Sequence, residues 1–242
     1  MMQIDQALTP ETPVYRYLPF ESFVAFVETG RTVLTNINQW DDQWEAILGK
    51  VPTVDEHGNP SSPSYSFHQD IFGQSWTLLD ESDAMWRIYS PTRTGLQIRT
   101  SVGHFELIGD VERAHVGKIG YFESIAELLA MTATRKSPFD DALVKRAAFQ
   151  HEREVRYLTN GHFLKNRVSI DEPRVTLPLD PAAFIKGVTV DPRAEDWYLE
   201  AVAAFANRAG LRCIPTRSRL YEPEPQLNIG ISRRWVPVTD KP

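Results

Sequence analysis

The segment FQHEREVRYL, residues 149–158, sets four charged side chains into five consecutive positions between a helix-like stretch and an apolar run. Its reading decides the fold. As a strand, in which side chains alternate between faces, Glu152, Glu154 and Arg156 share one side while Arg153, Val155 and Tyr157 share the other. The two carboxylates then stand about 7 Å apart along one face. On an open surface such a row is a solvated face with an ion pair worth at most ~1 kcal/mol. Between neighbouring strands it is the wall of a polar cleft.

Upstream, the chain opens with a Pro-punctuated arm (1–13). VYRYL (14–18) alternates as a strand, and PFESFVAFVETG (19–30) carries Phe20, Phe23, Val24 and Val27 at helical spacing, with Gly30 as its stop signal. RTVLTN reads as a strand, and residues 49–66, rich in Pro, Ser, Gly and Asn, as a surface loop. FGQSWTLLD (72–80) is strand-like, ESDAMWRIYS a short helix, and GLQIRT, HFELIGD and AHVGKIGY strands. FESIAELLAMTATRK has a helical stripe at Ile125, Leu128 and Leu129. SPFDDALVKRAAF (137–149) reads as a second helix, with Ser137 as N-cap and Pro138 at its first position.

Downstream lie the strands RVTLPL and FIKGVTV, the amphipathic helix AEDWYLEAVAAFANRAG ending at Gly210, the strand LRCIP with the single cysteine, Cys213, as a structural thiol, and a tail (236–242). This order is not a regular βαβ alternation. It predicts an α+β fold, one domain over 1–242, with a mixed or mainly antiparallel sheet flanked by helices.

An apolar content of 42% suits a folded core, and no run of 18 apolar residues or secretory leader is present, which points to the cytoplasm and away from membranes. Net charge is −6; residues 1–121 hold 8 Lys/Arg against 16 Asp/Glu. Only Arg217 with Arg219 and Arg233 with Arg234 hint at a basic stripe, so nucleic acid is allowed but not demanded. The histidines lack zinc-site spacing, and neither a Walker loop nor G-x-G-x-x-G occurs. In QWDDQWEAI, Asp41, Asp42 and Glu45 are either divalent-metal ligands or, the favoured reading, the acidic first turn of a helix.

Three strand-like segments present polar residues in order: Arg16, then Ser75 with Thr77, then Glu152 with Glu154. This order resembles the arginine-serine-glutamate ADP-ribosyltransferases. The resemblance implies NAD as substrate with no metal, Arg16 on its phosphates, Ser75 and Thr77 shaping the nicotinamide-ribose pocket, Glu154 as catalytic carboxylate and Glu152 as its helper. Trp86 and Tyr89, at i and i+3 on a short helix, are either core or a stacking platform for a ring of NAD.

The chain also resembles, over residues 15 to about 220, an uncharacterised bacterial domain family. The matching elements are Tyr15 and Tyr17, NQWDDQWE, Met85-Trp86-x-x-Tyr89 with Gly95, and Glu152-x-Glu154-x-Arg156. That resemblance implies an accessory gene of a defence or toxin locus. The expectation is an NAD-dependent ADP-ribosyltransferase-like toxin or defence effector acting on a protein, on nucleic acid or on water, restrained by an antitoxin or defence partner. The alternatives are a metal-dependent nuclease or hydrolase built on Asp41, Asp42, Glu45 and the Glu152/Glu154 pair, and a non-catalytic sensor of a defence system.

Overall fold

The computed structural model describes residues 1–40, 42, 44, 53–54, 57–61, 70–133, 137, 139–166 and 172–222. In chain order the strands are β1 (Met2–Ile4), β2 (Pro13–Pro19), β3 (Arg31–Asn36), β4 (Thr53–Val54), β5 (Pro60–Ser61), β6 (Ile71–Thr77), β7 (Gly95–Ser101), β8 (Ala114–Lys118), β9 (Gly120–Phe122), β10 (Val144–Arg146), β11 (Glu154–Asn160), β12 (Arg174–Pro178), β13 (Gly187–Val190) and β14 (Thr216–Arg217). The helices are α1 (Phe20–Thr29), α2 (Asp83–Tyr89), α3 (Ile125–Ala133), α4 (Pro181–Phe184) and α5 (Asp196–Arg208). This is the α+β architecture expected.

Ten strands form one mixed sheet in the order β1-β8-β11-β6-β2-β7-β13-β14, with β3 joining β6 and β12 joining β3. The central pairings are antiparallel, and parallel pairs stand at the margins, β1 on β8 and β13 on β14. The opening arm thus contributes an edge strand. β4 and β5 form a short antiparallel ribbon within the stretch read as a loop. No helix among the described residues is long and apolar enough to cross a membrane.

The sheet forks at β6. One edge of β6 pairs with β11 along its whole length, from Glu154 opposite Thr77 to Asn160 opposite Ile71. The other edge meets β2 only at Tyr15–Thr77, and β3 only at Thr35–Gly73 and Asn36–Phe72. Between those contacts β2 and β3 part company.

Alternation then sorts side chains between faces. Phe72, Trp76, Val155 and Tyr157 enter the main core, which α1, α4 and α5 close with Phe23, Phe184 and Phe205. Ile71 and Leu158 enter a second cluster with Ile37, Phe139 and Leu143. Gly73, Ser75, Thr77, Glu154 and Arg156 project from that second face.

Several local expectations are corrected. HFELIGD is not a strand: Val102–Leu107 is a 3-10 helix, and Val102, Phe105 and Ile108 are its buried row at a period of three. The helix expected over 137–149 is absent. The Ser137 hydroxyl accepts the Phe139 amide at 3.2 Å in a local turn but caps no helix: the single turn that follows, Asp140–Ala142, starts from Phe139 without a side-chain cap. The chain then extends as β10 to pair in parallel with β9 and curls again as a 3-10 helix over Ala147–Glu152. Tertiary pairing has overridden the local start signal; Pro138 lies outside the described residues. In α3 only Leu128 of the apolar stripe is buried, with Ile125 and Leu129 exposed. LRCIP is irregular, and burial raises the half-buried Cys213 thiol above its usual pKa, consistent with a structural thiol.

Gly73 lies close under Leu158 and Trp40 of the second cluster. A Cβ there would lie 2.6 Å from a Leu158 methyl and 3.1 Å from the Trp40 ring. Gly73→Ala should therefore cost about 1–3 kcal/mol by overpacking. Its chemical denaturation midpoint should fall well below that of the parent; an unchanged midpoint would show that Trp40 is free to move.

Candidate active site

The gap between β2 and β3 opens into a cavity of about 1080 Å³. Its lining includes Arg16, Ser75, Thr77, Tyr89, Glu152 and Glu154. Six of the seven expected site residues therefore meet in one place. Trp86 does not: it is wholly buried and packs edge-on against Tyr17, with ring centroids 4.7 Å apart. Tyr89, stacked 6.1 Å from Tyr17, holds the rim instead.

The carboxylate pair is not the strand row expected of FQHEREVRYL. Residues through Glu152 are 3-10, Arg153 turns the chain with a left-handed φ of 44°, and the strand begins at Glu154. Glu152 is held from a different direction. Its carbonyl accepts the Thr77 hydroxyl at 2.6 Å, and its carboxylate accepts the Lys145 ammonium at 2.7 Å and the Tyr89 hydroxyl at 3.3 Å.

Glu154 is 3% exposed and sits opposite Thr77. Arg156 donates to it from Nε at 2.7 Å and Nη2 at 3.2 Å, and Lys145 Nζ donates to the same carboxylate at 3.0 Å. The Arg156 guanidinium is itself fully buried, gives Nη1 to the Ala142 carbonyl at 2.6 Å, and lies 4.2 Å from the Trp40 ring centre. Burial pushes against ionising Glu154. The charge and hydrogen bonds of Arg156, the Lys145 ammonium and the Ser75 hydroxyl outweigh it, leaving the Glu154 pKa below the usual glutamate value.

Arg16 is the opposite case. By alternation it lies with Val14 and Leu18, which β2 gives to the main core, whereas Ser75 and Thr77 project from the other face of β6. The fork joins the two faces in one cavity. Among the described residues no carboxylate or other acceptor reaches the guanidinium, which lies 6.0 Å from the centre of the Trp76 ring. Burial lowers its pKa to about 10, so it remains a cation at neutral pH. A desolvated and unpaired guanidinium is costly unless a ligand anion completes it. Ser75 is the exposed exception in an otherwise buried strand, and its side chain opens into the cavity.

Sequence reasoning missed Lys145, Tyr121 and Trp40. Lys145 falls in a stretch that reads as helix from sequence; Tyr121, whose hydroxyl accepts the Glu154 amide at 2.9 Å, has no motif to mark it. As for a metal, Asp41 and Glu45 lie outside the described residues, and Asp42 accepts two bonds from Arg146, at 3.1 and 3.3 Å. Glu152 and Glu154 are already bound to protein cations. No three His, Cys, Asp or Glu among the described residues gather as a metal site would require.

The fold and cavity thus define an α+β protein whose forked central sheet holds a polar, arginine-bearing cavity. No family model matches the chain, and no curated protein matches it. Solved structures to which it is similar include DarT from Thermus sp. 2.9 in complex with NAD+, at 13% identity and a TM-score of 0.43, covering 88% of this chain and 98% of that one. The same protein with carba-NAD+ aligns at 13% identity and a TM-score of 0.39, over 86% and 96% of the two chains. With ADP-ribosylated ssDNA it aligns at 11% and 0.40, over 87% and 94%.

The depressed Glu154 pKa has a stability consequence. An unfolded glutamate titrates near 4.5 and the folded one lower, so the unfolded chain binds more protons in that window. The stabilisation is fully present above pH 4.5 and is lost as pH falls through the folded pKa. Thermal unfolding followed from pH 6 to about pH 3 should show a falling midpoint, and Glu154→Gln should flatten part of that slope. An unchanged slope would place the acid sensitivity elsewhere.

Proposed function

We propose that this chain binds NAD in the forked cavity and cleaves its nicotinamide-ribose bond, passing ADP-ribose to a macromolecule or to water. The observation that carries this reading is the convergence of an unpaired guanidinium, a hydroxyl-bearing strand and a carboxylate pair on one cavity.

The chemistry calls for those groups. As the glycosidic bond breaks, its electron pair leaves with nicotinamide and the ribose C1′ takes on oxocarbenium character, which a fixed carboxylate stabilises. Glu154 has that role in the proposal, held ionised by Arg156. Arg16 forks onto the pyrophosphate oxygens, the anion that its guanidinium lacks. Ser75 and Thr77 shape the pocket around the nicotinamide ribose, and the Tyr89 ring at the rim stacks on a ring of the ligand. Glu152, half-buried and bearing a Tyr89 hydroxyl on one oxygen, takes the proton from the acceptor nucleophile as the new bond to C1′ forms. An acceptor of protein or nucleic acid, and a restraining partner for so destructive an activity, complete the proposal of a toxin or defence effector.

Incubation of the purified chain with NAD labelled in either half, with and without cell extract, tests this. Release of nicotinamide is expected. Glu154→Gln should lower it by about 100-fold or more, and Arg16→Ala should weaken NAD binding about tenfold or more in calorimetry. The reading fails if the parent protein neither binds NAD nor releases nicotinamide with extract present.

A further inference from the structure

Two carboxylates, one buried and one partly so, share one ammonium, a pairing that the reaction itself does not explain. The Glu152 and Glu154 oxygens that accept from Lys145 are less than about 6 Å apart, since both touch one nitrogen. Carboxylates that close disfavour each other's charge unless a cation stands between them. Arg156 cannot solve this for both. Its Nε and Nη2 are spent on Glu154 and its Nη1 on the Ala142 carbonyl, and among the described residues it has no bond to Glu152.

We propose that Lys145 is a positioning residue that keeps Glu152 and Glu154 ionised together, so that a proton acceptor and a charge-stabilising anion coexist in one site. The assignment of those two roles rests on the transferase reading; the electrostatic coupling does not.

The groups that face the pair come from every neighbouring element. Lys145 stands on β10, itself only 8% exposed and 4.8 Å from the Phe149 ring centre. Arg156 and Glu154 stand on β11, and Glu152 ends the 3-10 helix before it. The Tyr89 hydroxyl reaches in from α2 and the Tyr121 hydroxyl from β9. Both tyrosines are raised above their usual pKa, first by burial and in part by the two glutamates, so neither supplies a charge of its own. Among the described residues Lys145 and Arg156 are the cations bonded to the pair, and Glu152 takes its ion pair from Lys145 alone. Removing Lys145 leaves Arg156 bonded to Glu154 and takes that ion pair from Glu152.

The test is a double-mutant cycle read without reference to turnover. Lys145→Met should lower the thermal midpoint at pH 7.5, and the loss should shrink as pH is brought down to about 5, where protonation relieves the repulsion. Glu152→Gln introduced into Lys145→Met should restore most of the lost midpoint, because it removes one of the two competing charges. Lys145→Arg, which keeps a cation, should retain a parent-like dependence on pH. In carboxyl NMR of the glutamate-labelled Lys145→Met protein, one titration midpoint should rise by about one pH unit or more. In the NAD assay the acidic limb of the rate profile should rise with it.

Should Lys145→Met fail to fold, rescue of folding by Glu152→Gln supports the proposal, and absence of rescue overturns it. It is equally overturned if the carboxyl midpoints do not move, or if Lys145→Arg behaves as Lys145→Met does. Carboxyl midpoints that move in a protein which consumes no NAD would uphold the coupling and sink the transferase reading.

Discussion

The burial of Arg156 is the constraint around which the candidate site is arranged. A guanidinium with no exposure to water needs its charge and donors satisfied by the protein. Glu154 is fixed opposite Thr77, the Ala142 carbonyl is drawn in by the turn before β10, and the Trp40 ring covers the remaining face. Each demand locates a different part of the chain. β11 must lie flush against β6, the segment around residue 142 must curl rather than run on as a helix, and Gly73 must lack a side chain so that Trp40 can close down. Breaking such a pair from one side costs more than the pair contributes, because an uncompensated charge is left behind.

A division of labour between two arginines follows. Arg156 is saturated and serves architecture, while Arg16, partly buried, has no internal counterion among the described residues. The same residue type therefore does opposite things a few strands apart. Composition alone does not separate them; neighbours do. An interior cation left without an anion is a standing invitation to a ligand that carries one, which is why Arg16 says more about function than the tightly bound Arg156 does.

Much of this was legible in the sequence where period and terminus signals agreed. VYRYL, RTVLTN and FGQSWT alternate and are strands, and PFESFVAFVETG is a helix that stops at Gly30, whose φ is 61°. The polar residues in three ordered strands do reach one cavity. What could not be read was decided by partners distant in sequence. Ser137 signals a helix, yet parallel pairing with β9 draws Val144–Arg146 into a strand. That pairing delivers Lys145 to two glutamates seven and nine residues further on. Trp86 and Tyr89 share one helix turn, but only contact with Tyr17 and the rim tells which is core. The charges in FQHEREVRYL do not form one strand row: a left-handed turn at Arg153 separates the two acids onto different elements before Lys145 reunites them.

The fork in the sheet also bears on how the molecule keeps to itself. Between Gly73 and Thr77 the backbone of β6 has a strand neighbour on one side only, in effect an edge in the middle of a sheet. Unpaired edges ordinarily invite the strands of other molecules and seed aggregation. This one is recessed and walled by Arg16, Trp40 and Tyr89, so an extended chain would have to bury a cation and displace two rings to dock on it. The cavity mouth is thereby closed to another protein's backbone.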